Sequence, residues 1–332
     1  MSCAAPAPIE RQGPIFRPVS YDEAMNAIEE EPPRGTIGLQ HCPGDPFEST
    51  HFGPWNNGKA QELAHTRSPQ HSANDVITTV GSPIRLQARV GYGEERVSLE
   101  HEWVRIFLGK CSGWRQVGHQ RTGESGEVNL PLGERLVVGV YEAAFQVVGD
   151  LSYTTAKIWV VPANTPVVVF NVMGTLVPAH ATASQGDVVR APFPGAVELT
   201  HAYAEHGYLV TYLLEESSGV DVLANARQWL DQQGFSDGAI ILEGQGAALA
   251  VEQSHPIDFR ADGLQSIREA GLWVEAAYGS AITDIEVYRQ AGLGPERIWV
   301  MAAAENTRHA NVVRDSWESH AQDVVLLPLR VE

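Results

Sequence analysis

The chain has 332 residues, enough for two domains of ordinary size. Hydrophobic residues make up 43%, and Lys+Arg number 23 against Asp+Glu 41, a formal charge of -18. It can bury a core, and its acidity argues against general nucleic-acid binding and against docking on anionic membranes by bulk charge. A local basic pocket is compatible with this balance, because net charge says little about one site.

The three cysteines, Cys3, Cys42 and Cys111, are far apart and odd in number. No CxxC or zinc spacing occurs, so no disulfide framework is expected. The start, Met-Ser-Cys-Ala-Ala-Pro, lacks the basic and apolar regions of a signal peptide. No stretch approaches 18 uninterrupted apolar residues, so no transmembrane segment is expected. The expected location is cytoplasmic, with peripheral membrane association as the alternative.

Residues 1–72 are the least regular and read as an N-terminal arm. Pro, Gly, His and Asn are frequent, as in Glu31-Pro-Pro-Arg-Gly35 and Cys42-Pro-Gly-Asp-Pro46. One short helix is predicted over Tyr21 to Glu30, with Ser20 as N-cap. His41, His51, His65 and His71 lie near Cys42 and Asp45, but their spacing matches no zinc pattern and no metal site is assigned. The arm is expected to pack on a neighbouring domain or subunit, anchored by Phe52 and Trp55.

Residues 73–163 read as an all-β sandwich. Val76 to Val80, Ile84 to Val90, Val97 to Leu108, Trp114 to Gln120, Glu127 to Leu130, Gly139 to Val148 and Thr154 to Val161 alternate or run apolar. Gly- and Ser-rich turns separate them, as at Gly91-Tyr-Gly93 and Gly149-Asp150. The spacing suits a sandwich of immunoglobulin or transthyretin type. Trp103, Trp114 and Trp159 are expected in packing. A binding module and a structural spacer are equally compatible with this segment.

From 164 to 332 strands alternate with helices. Strands are predicted at Val167 to Phe170, Leu209 to Leu214, Ala239 to Leu242, Leu272 to Ala277, Arg297 to Met301 and Val324 to Leu327. Helices are predicted at Ala196 to His206, Val220 to Gln233, Asp262 to Ala270, Ile282 to Ala291 and Thr307 to Ser319. Gly207, Gly234, Gly271 and Gly292 follow helices as C-cap glycines do. The alternation implies right-handed crossovers and a doubly wound parallel sheet, with ligands at the carboxyl ends of the strands.

One such end stands out. The apolar run Val167 to Phe170 enters Asn171-Val-Met173-Gly-Thr175-Leu176. This resembles the haloacid-dehalogenase phosphatase loop, Asp-x-Asp-x-Thr, after the first strand. Asn171 stands at the position of the nucleophilic Asp, and Met173 at that of the acid/base Asp. An amide is a very poor nucleophile, and a thioether cannot transfer a proton. The second strand, which in that fold ends in Thr or Ser, ends here in Leu214, followed by Glu215-Glu216-Ser217. Arg260 is the candidate cation. Tyr278-Gly-Ser-Ala-Ile-Thr-Asp284 is the candidate acidic stretch, with Ser280 at the preceding polar position. One carboxylate makes a poor Mg²⁺ site, so magnesium is disfavoured. Asp284 is equally compatible with capping the helix that follows, and Thr175 with closing its turn.

Collinear pieces extend the resemblance. Ser72-Ala-Asn-Asp75, Gly139-Val-Tyr141, Val147-Val-Gly-Asp150, Gly195-Ala-Val197, Gly207-Tyr-Leu209, Ala277-Tyr-Gly-Ser280 and Asp284-Ile-Glu-Val-Tyr288 occur in order. From about Ser72 to Ala304 the chain resembles the lipin-type C-terminal domain of the membrane-associated phosphatidylinositol transfer proteins, the retinal-degeneration-B group. There a β-domain precedes a degenerate haloacid-dehalogenase-like domain. The resemblance implies descent from Mg²⁺-dependent phosphatidate phosphatases and a non-catalytic role in sensing phosphatidic acid. The expected function is that of a pseudo-phosphatase binding an anionic phospholipid headgroup or another phosphorylated small molecule. Asn171, Gly174, Thr175, Arg260, Ser280 and Asp284 are its candidate contacts. Two alternatives stand beside it: a scaffold with a vestigial pocket that binds a protein partner, and a residual Mg²⁺-dependent phosphatase acting through Asp284.

Overall fold

The computed structural model describes residues 39–42, 44–179, 191–215, 225–243, 259–301 and 309–327. The helix expected over Tyr21 to Glu30 lies outside them. No helix among the described residues is long and apolar enough to cross a membrane.

The sandwich is built from β1 (Ser72–Ala73), β2 (Val76–Thr79), β3 (Ile84–Arg89), β4 (Gly91–Tyr92), β5 (Val97–Ser98), β6 (Trp103–Lys110), β7 (Gly113–Arg121), β8 (Glu127–Leu132), β9 (Gly139–Val147) and β10 (Tyr153–Val161). A five-stranded sheet in the order β2-β10-β9-β6-β7 faces a three-stranded one, β1-β3-β8, and β4 and β5 form a ribbon. Strand β3 shows the period of two directly: Ile84, Leu86 and Ala88 are buried, while Arg85 is exposed. The continuous stretch expected from Val97 to Leu108 is broken. His101 takes a positive φ of 56°, and Glu102 turns inward. Its carboxylate accepts the amides of Asn56 (2.9 and 3.0 Å) and Asn57 (2.9 Å).

Those amides open α1 (Gly58–Thr66), a helix absent from the sequence reading. Asn57 caps it by accepting from the Ala60 amide at 2.7 Å. An anion at a helix N-terminus is favoured by the exposed N–H groups and the dipole. Before α1 the chain runs extended over the sandwich, with the Cys42 amide donating to the Val140 carbonyl at 2.7 Å. Phe52 is 71% exposed and anchors nothing; Phe47 does so instead, packed among Phe107, Trp114 and Tyr153. Trp55 does pack against the sandwich core. Cys42 and Cys111, 69 residues apart, are disulfide-bonded, with Cα atoms 4.6 Å apart. This corrects the expectation from spacing, because only the draping of the arm brings them together.

The second sheet contains β11 (Pro166–Asn171), β12 (Leu209–Leu214), β13 (Ala239–Leu242), β14 (Trp273–Gly279), β15 (Ile298–Met301) and β16 (Asn311–Val313). Its order is β13-β12-β11-β14-β15-β16, and every pairing is parallel. The order reverses between β11 and β14, the switch point where such sheets bind ligands. Helices α2 (Ala196–Glu205), α3 (Ala226–Gln232), α4 (Phe259–Glu269), α5 (Ile282–Gln290) and α6 (Glu318–Val325) connect or cover the strands. The C-terminal expectation is overturned. Asn311-Val-Val313 adds a sixth strand beside β15, and the segment expected as the last strand ends helix α6 and the turn after it. There His320, Ala321 and Val324 turn one buried face inward.

Burial on both sides of β11 explains its unbroken apolar run. Val168 and Phe170 lie in one core with residues of α2 and α6, such as Leu199 and Val324. Val167 and Val169 lie in another, which takes in Val140, Trp159 and Val161 of the sandwich. The two sheets therefore share a core. Asn74 and Asp75 also seal the edge strand β13: the Leu242 amide donates to Asn74 at 2.7 Å, and the Ile240 amide to Asp75 at 2.9 Å.

Candidate functional site

Asn171 ends β11, pairing with Leu213 across the sheet. The chain then turns sharply. Leu176 donates back to the Val172 carbonyl at 2.9 Å, and Gly174 to that of Val177 at 2.7 Å. Gly174 has φ 79°, and a Cβ there would run into the Ser280 side chain, so the turn requires glycine. The amides of Val172, Gly174, Thr175 and Leu176 all donate to backbone carbonyls. These four N–H groups are spent on the backbone, three within the turn and that of Val172 on Leu213 of the neighbouring strand, and are not offered to an anion.

Thr175 is fully buried. The Trp317 indole donates to its carbonyl at 2.7 Å, and its hydroxyl has no partner among the described residues. Met173 and Leu214, at the positions of the acid/base and of the phosphate-binding hydroxyl, are both buried in the core shared with Phe170. Two polar positions of the phosphatase frame have become hydrophobic packing. The same core holds a chain of buried polar contacts that the sequence reading missed. Tyr203 and Tyr278 hydroxyls lie 2.6 Å apart, and Tyr278 lies 2.8 Å from His320 Nε2.

The remaining charged residues do converge. Asp284, wholly buried in the first turn of α5, accepts from the Ser280 amide at 2.8 Å and the Ala281 amide at 2.9 Å through Oδ2. It thus caps its helix. Its Oδ1 accepts from Asn171 Nδ2 at 3.1 Å and from the Arg260 guanidinium. Asn171 Nδ2 also donates to Glu215 Oε1 at 3.0 Å, which lies 3.9 Å from the Arg260 guanidinium. Arg260 comes from the first turn of α4 and Glu215 from the residue after β12. Ser280 contributes its amide, and its hydroxyl approaches the Met173 carbonyl at 3.4 Å. Asn171, Arg260, Ser280 and Asp284 are thus brought together, and Glu215 joins them. Gly174 shapes the turn, and Thr175 faces the interior. Glu216 and Ser217 lie outside the described residues. The sequence placed Glu215 only after Leu214, with no role; its position just past a strand end was the available signal for more.

This arrangement does not fit magnesium, the cation of the phosphatase fold. Mg²⁺ requires oxygen acceptors in near-octahedral array. Here two N–H donors, from Asn171 and Arg260, meet the carboxylate oxygens instead. Among the described residues no three His, Cys, Asp or Glu side chains are grouped to hold a metal. The group can neutralise and orient charge, and at its centre the Asn171 amide donates to both carboxylates.

Residues 168–302 match a family model described as PITM 1-3, LNS2 domain, and residues 69–160 one described as PITM 1-3, beta-sandwich domain. Membrane-associated phosphatidylinositol transfer protein 1 of Rattus norvegicus is 29% identical over 260 residues, covering 75% of this chain and 20% of that protein. Protein 3 of Homo sapiens is 29% identical over 296 residues, covering 86% and 28%. Protein retinal degeneration B of Drosophila melanogaster is 26% identical over 289 residues, covering 84% and 21%. The chain thus spans only 20 to 28% of the length of these relatives. Among solved structures, D,D-heptose 1,7-bisphosphate phosphatase from B. bronchiseptica aligns at 13% identity and TM-score 0.33, over 48% of this chain and 98% of that one. A had-like protein from Mesorhizobium loti aligns at 17% identity and TM-score 0.34, over 49% and 86%.

Proposed function

Because the chain carries the β-sandwich and LNS2 domains of the membrane-associated phosphatidylinositol transfer proteins, we propose that it is a non-catalytic, lipid-related regulatory protein. Its phosphatase-like mouth is a pseudo-active site that takes a phosphorylated headgroup, with phosphatidic acid as the class to test. One observation carries the non-catalytic reading. At the nucleophile's position the Asn171 amide donates to Glu215 and Asp284. The centre is therefore organised around hydrogen-bond donation and has no attacking carboxylate. Burial of Met173 and Leu214 supports the same reading.

Arg260 is the cation at this mouth, with its side chain 13% exposed. A phosphomonoester would have to draw it from Asp284, while Asn171 and the Ser280 and Ala281 amides continue to hold that carboxylate. A charge-assisted contact of this kind contributes about 1.5–3 kcal/mol, so Arg260→Ala should weaken headgroup binding about ten- to a hundredfold. Liposome flotation with and without phosphatidic acid, on wild type and Arg260→Ala, tests this. Equal flotation on both liposomes by both proteins rejects headgroup binding. A phosphatase assay with magnesium and a generic phosphate ester tests the other half: robust turnover that Asp284→Asn abolishes would reject the non-catalytic reading.

The spent amides of Val172, Gly174, Thr175 and Leu176 and the Arg260–Asp284 pair favour a second reading, a protein-binding scaffold with a vestigial pocket. Rejection of headgroup binding moves that reading to the front.

A further inference from the structure

We infer that Cys111 is a thiol-exchange site, and that opening its disulfide with Cys42 releases a strap, residues 44–55, from the outer face of the five-stranded sheet while both domains stay folded. Cys42 is buried in the sandwich core, 4% exposed. Cys111 is exposed, in the short turn between β6 and β7. The sulfur of the exposed partner is the one that an external thiolate reaches. One thiolate of a dithiol attacks Cys111 Sγ; the disulfide breaks, a mixed disulfide forms, and Cys42 leaves and takes up a proton. The second thiol of the reagent then displaces Cys111. Two electrons and two protons pass to the protein, and the dithiol ends as a cyclic disulfide.

The strap has little main-chain pairing to hold it. Upstream, Gln40 and Cys42 exchange backbone hydrogen bonds of 2.8 and 2.7 Å with Val140 of β9, beside the disulfide. Among the described residues 44–55, one backbone-to-backbone bond reaches the sandwich, from the Gly53 amide to the Val148 carbonyl at 3.0 Å. The other contacts involve side chains. Phe47 lies against Phe107, Trp114 and Tyr153, with ring centroids 4.9, 5.1 and 5.1 Å away. The Trp114 indole donates to the Asp45 carbonyl at 3.0 Å. Arg105 donates to the Thr50 hydroxyl at 3.1 Å and to the His51 carbonyl. A segment without a hydrogen-bonded ladder opens at low free energy. Gln146 supplies the second observation. It is fully buried where its Oε1 accepts from Thr50 at 2.7 Å, and its Nε2 has no partner among the described residues. A buried amide N–H without an acceptor is unfavourable, and water relieves it once the strap lifts. The disulfide, joining residues 69 apart, opposes that release. Downstream, Glu102 keeps the amides of Asn56 and Asn57, so α1 stays docked and ends the released segment.

The test uses the full chain, with glutathione buffers and dithiothreitol as the thiol probes. Peptide mapping after alkylation should find Cys42 linked to Cys111 under oxidised glutathione, and both free after dithiothreitol. At intermediate glutathione ratios the mixed disulfide of this pair should sit on Cys111. Hydrogen exchange read by mass spectrometry then compares the oxidised and reduced chains. Peptides covering 40–55 should exchange about tenfold or more faster in the reduced chain, with β9 and β11 peptides unchanged. Cys42→Ser/Cys111→Ser should reproduce the reduced pattern in either buffer. Phe47→Ala weakens docking of the strap and leaves both sulfurs in place. It should lower the effective concentration of Cys42 at Cys111 and make the disulfide about tenfold easier to reduce. Free Cys42 and Cys111 under oxidised glutathione overturn the inference, as does an adduct on Cys42 alone. Equal exchange of 40–55 in the two forms also overturns it, as does faster exchange throughout the sandwich, unfolding of the wild-type chain on reduction, or reduction of Phe47→Ala at the wild-type glutathione ratio.

Discussion

Asp75 and Asp284 are buried carboxylates with side-chain exposures of 3% and 0%, each bound to an arginine and to backbone amides. Their surroundings differ. Asp75 accepts from the Lys157 amide at 2.7 Å and the Trp159 indole at 3.2 Å in the sandwich, and from the Ile240 amide and Arg227 in the α/β domain. Asp237 binds Lys157 at 2.6 Å and Arg227 at 3.1 Å beside it. Burial would raise the Asp237 pKa, but Lys157 and Arg227 hold it below the usual carboxylate range. Every partner of Asp75 is fixed in a strand or helix, and together they join two domains. One oxygen of Asp284 is likewise fixed by amides, but the other meets two side chains at the mouth of the sheet. Burial alone therefore does not separate a structural charge from an adaptable one. Each carboxylate meets two backbone amides and two side chains, so place separates them: the side-chain partners of Asp75 join two domains, and those of Asp284 lie at the mouth of the sheet.

The largest expected effect breaks the domain junction. Asp75→Ala removes one of the two carboxylates bound by Arg227 and strands two backbone amides and the Trp159 indole, and should cost about 3–5 kcal/mol in urea unfolding of the full chain. Asp284→Asn keeps an acceptor for the helix amides and should cost less, about 1–3 kcal/mol. Equal losses would erase the distinction.

Acid should act next, and on both domains. Burial lowers the pKa of His71 in the sandwich and of His320 in α6 to about 4 in each case. Unfolded, each binds a proton near 6.5. Their neutral-state stability is complete above pH 6.5 and falls as pH drops toward 4, because the unfolded chain takes up protons first. For His71, held 3.0 Å from the Gly91 carbonyl and 2.8 Å from Ser152 Oγ, the loss should approach about 3 kcal/mol. His71→Gln should flatten the stability profile between pH 6.5 and 4.5. An unchanged slope would show that other groups govern it.

Asn171→Asp sharpens the comparison at the mouth. A third carboxylate against Glu215 and Asp284 should cost about 1–2 kcal/mol in thermal unfolding at neutral pH. Adding Met173→Asp should still not yield phosphatase turnover, since Leu214 leaves no hydroxyl at the second strand. The smallest effect should come from Glu215→Gln. Its side chain is 28% exposed, so stability should change by less than about 1 kcal/mol. Phosphatidic acid binding should strengthen, most visibly at low salt. An unchanged salt dependence would show that Glu215 exerts no field on the headgroup.

Much of this was legible in the chain. The alternating β3, the double-sided runs of β11 and β12, and the helix-ending glycines depend on neighbours a few residues apart, and local periodicity carries such information. The substitutions at Asn171, Met173 and Leu214 were legible too, since the absence of a carboxylate or hydroxyl is a property of the residue itself. The break at His101 and the inward turn of Glu102 were not, because the reward for burying that carboxylate comes from α1, more than thirty residues upstream. The C-terminal segment misled for a related reason. Asn311-Val-Val313 is too short to assert a strand until β15 offers it an edge, and the face of α6 is defined by the core it meets.

Residue type and period, which are local, determined the two fold classes, the parallel core strand and the replacement of the motif's carboxylates and hydroxyl by Asn171, Met173 and Leu214. Partnership was decided in three dimensions. Cys42 meets Cys111 across 69 residues, Asn171 meets Asp284 across 113, and Asp75 meets Arg227 across 152. No local pattern encodes such pairs, because each exists only after strands from distant parts of the chain have packed. The same packing excludes the water that would otherwise weaken these charges, and so makes the choice of partner matter.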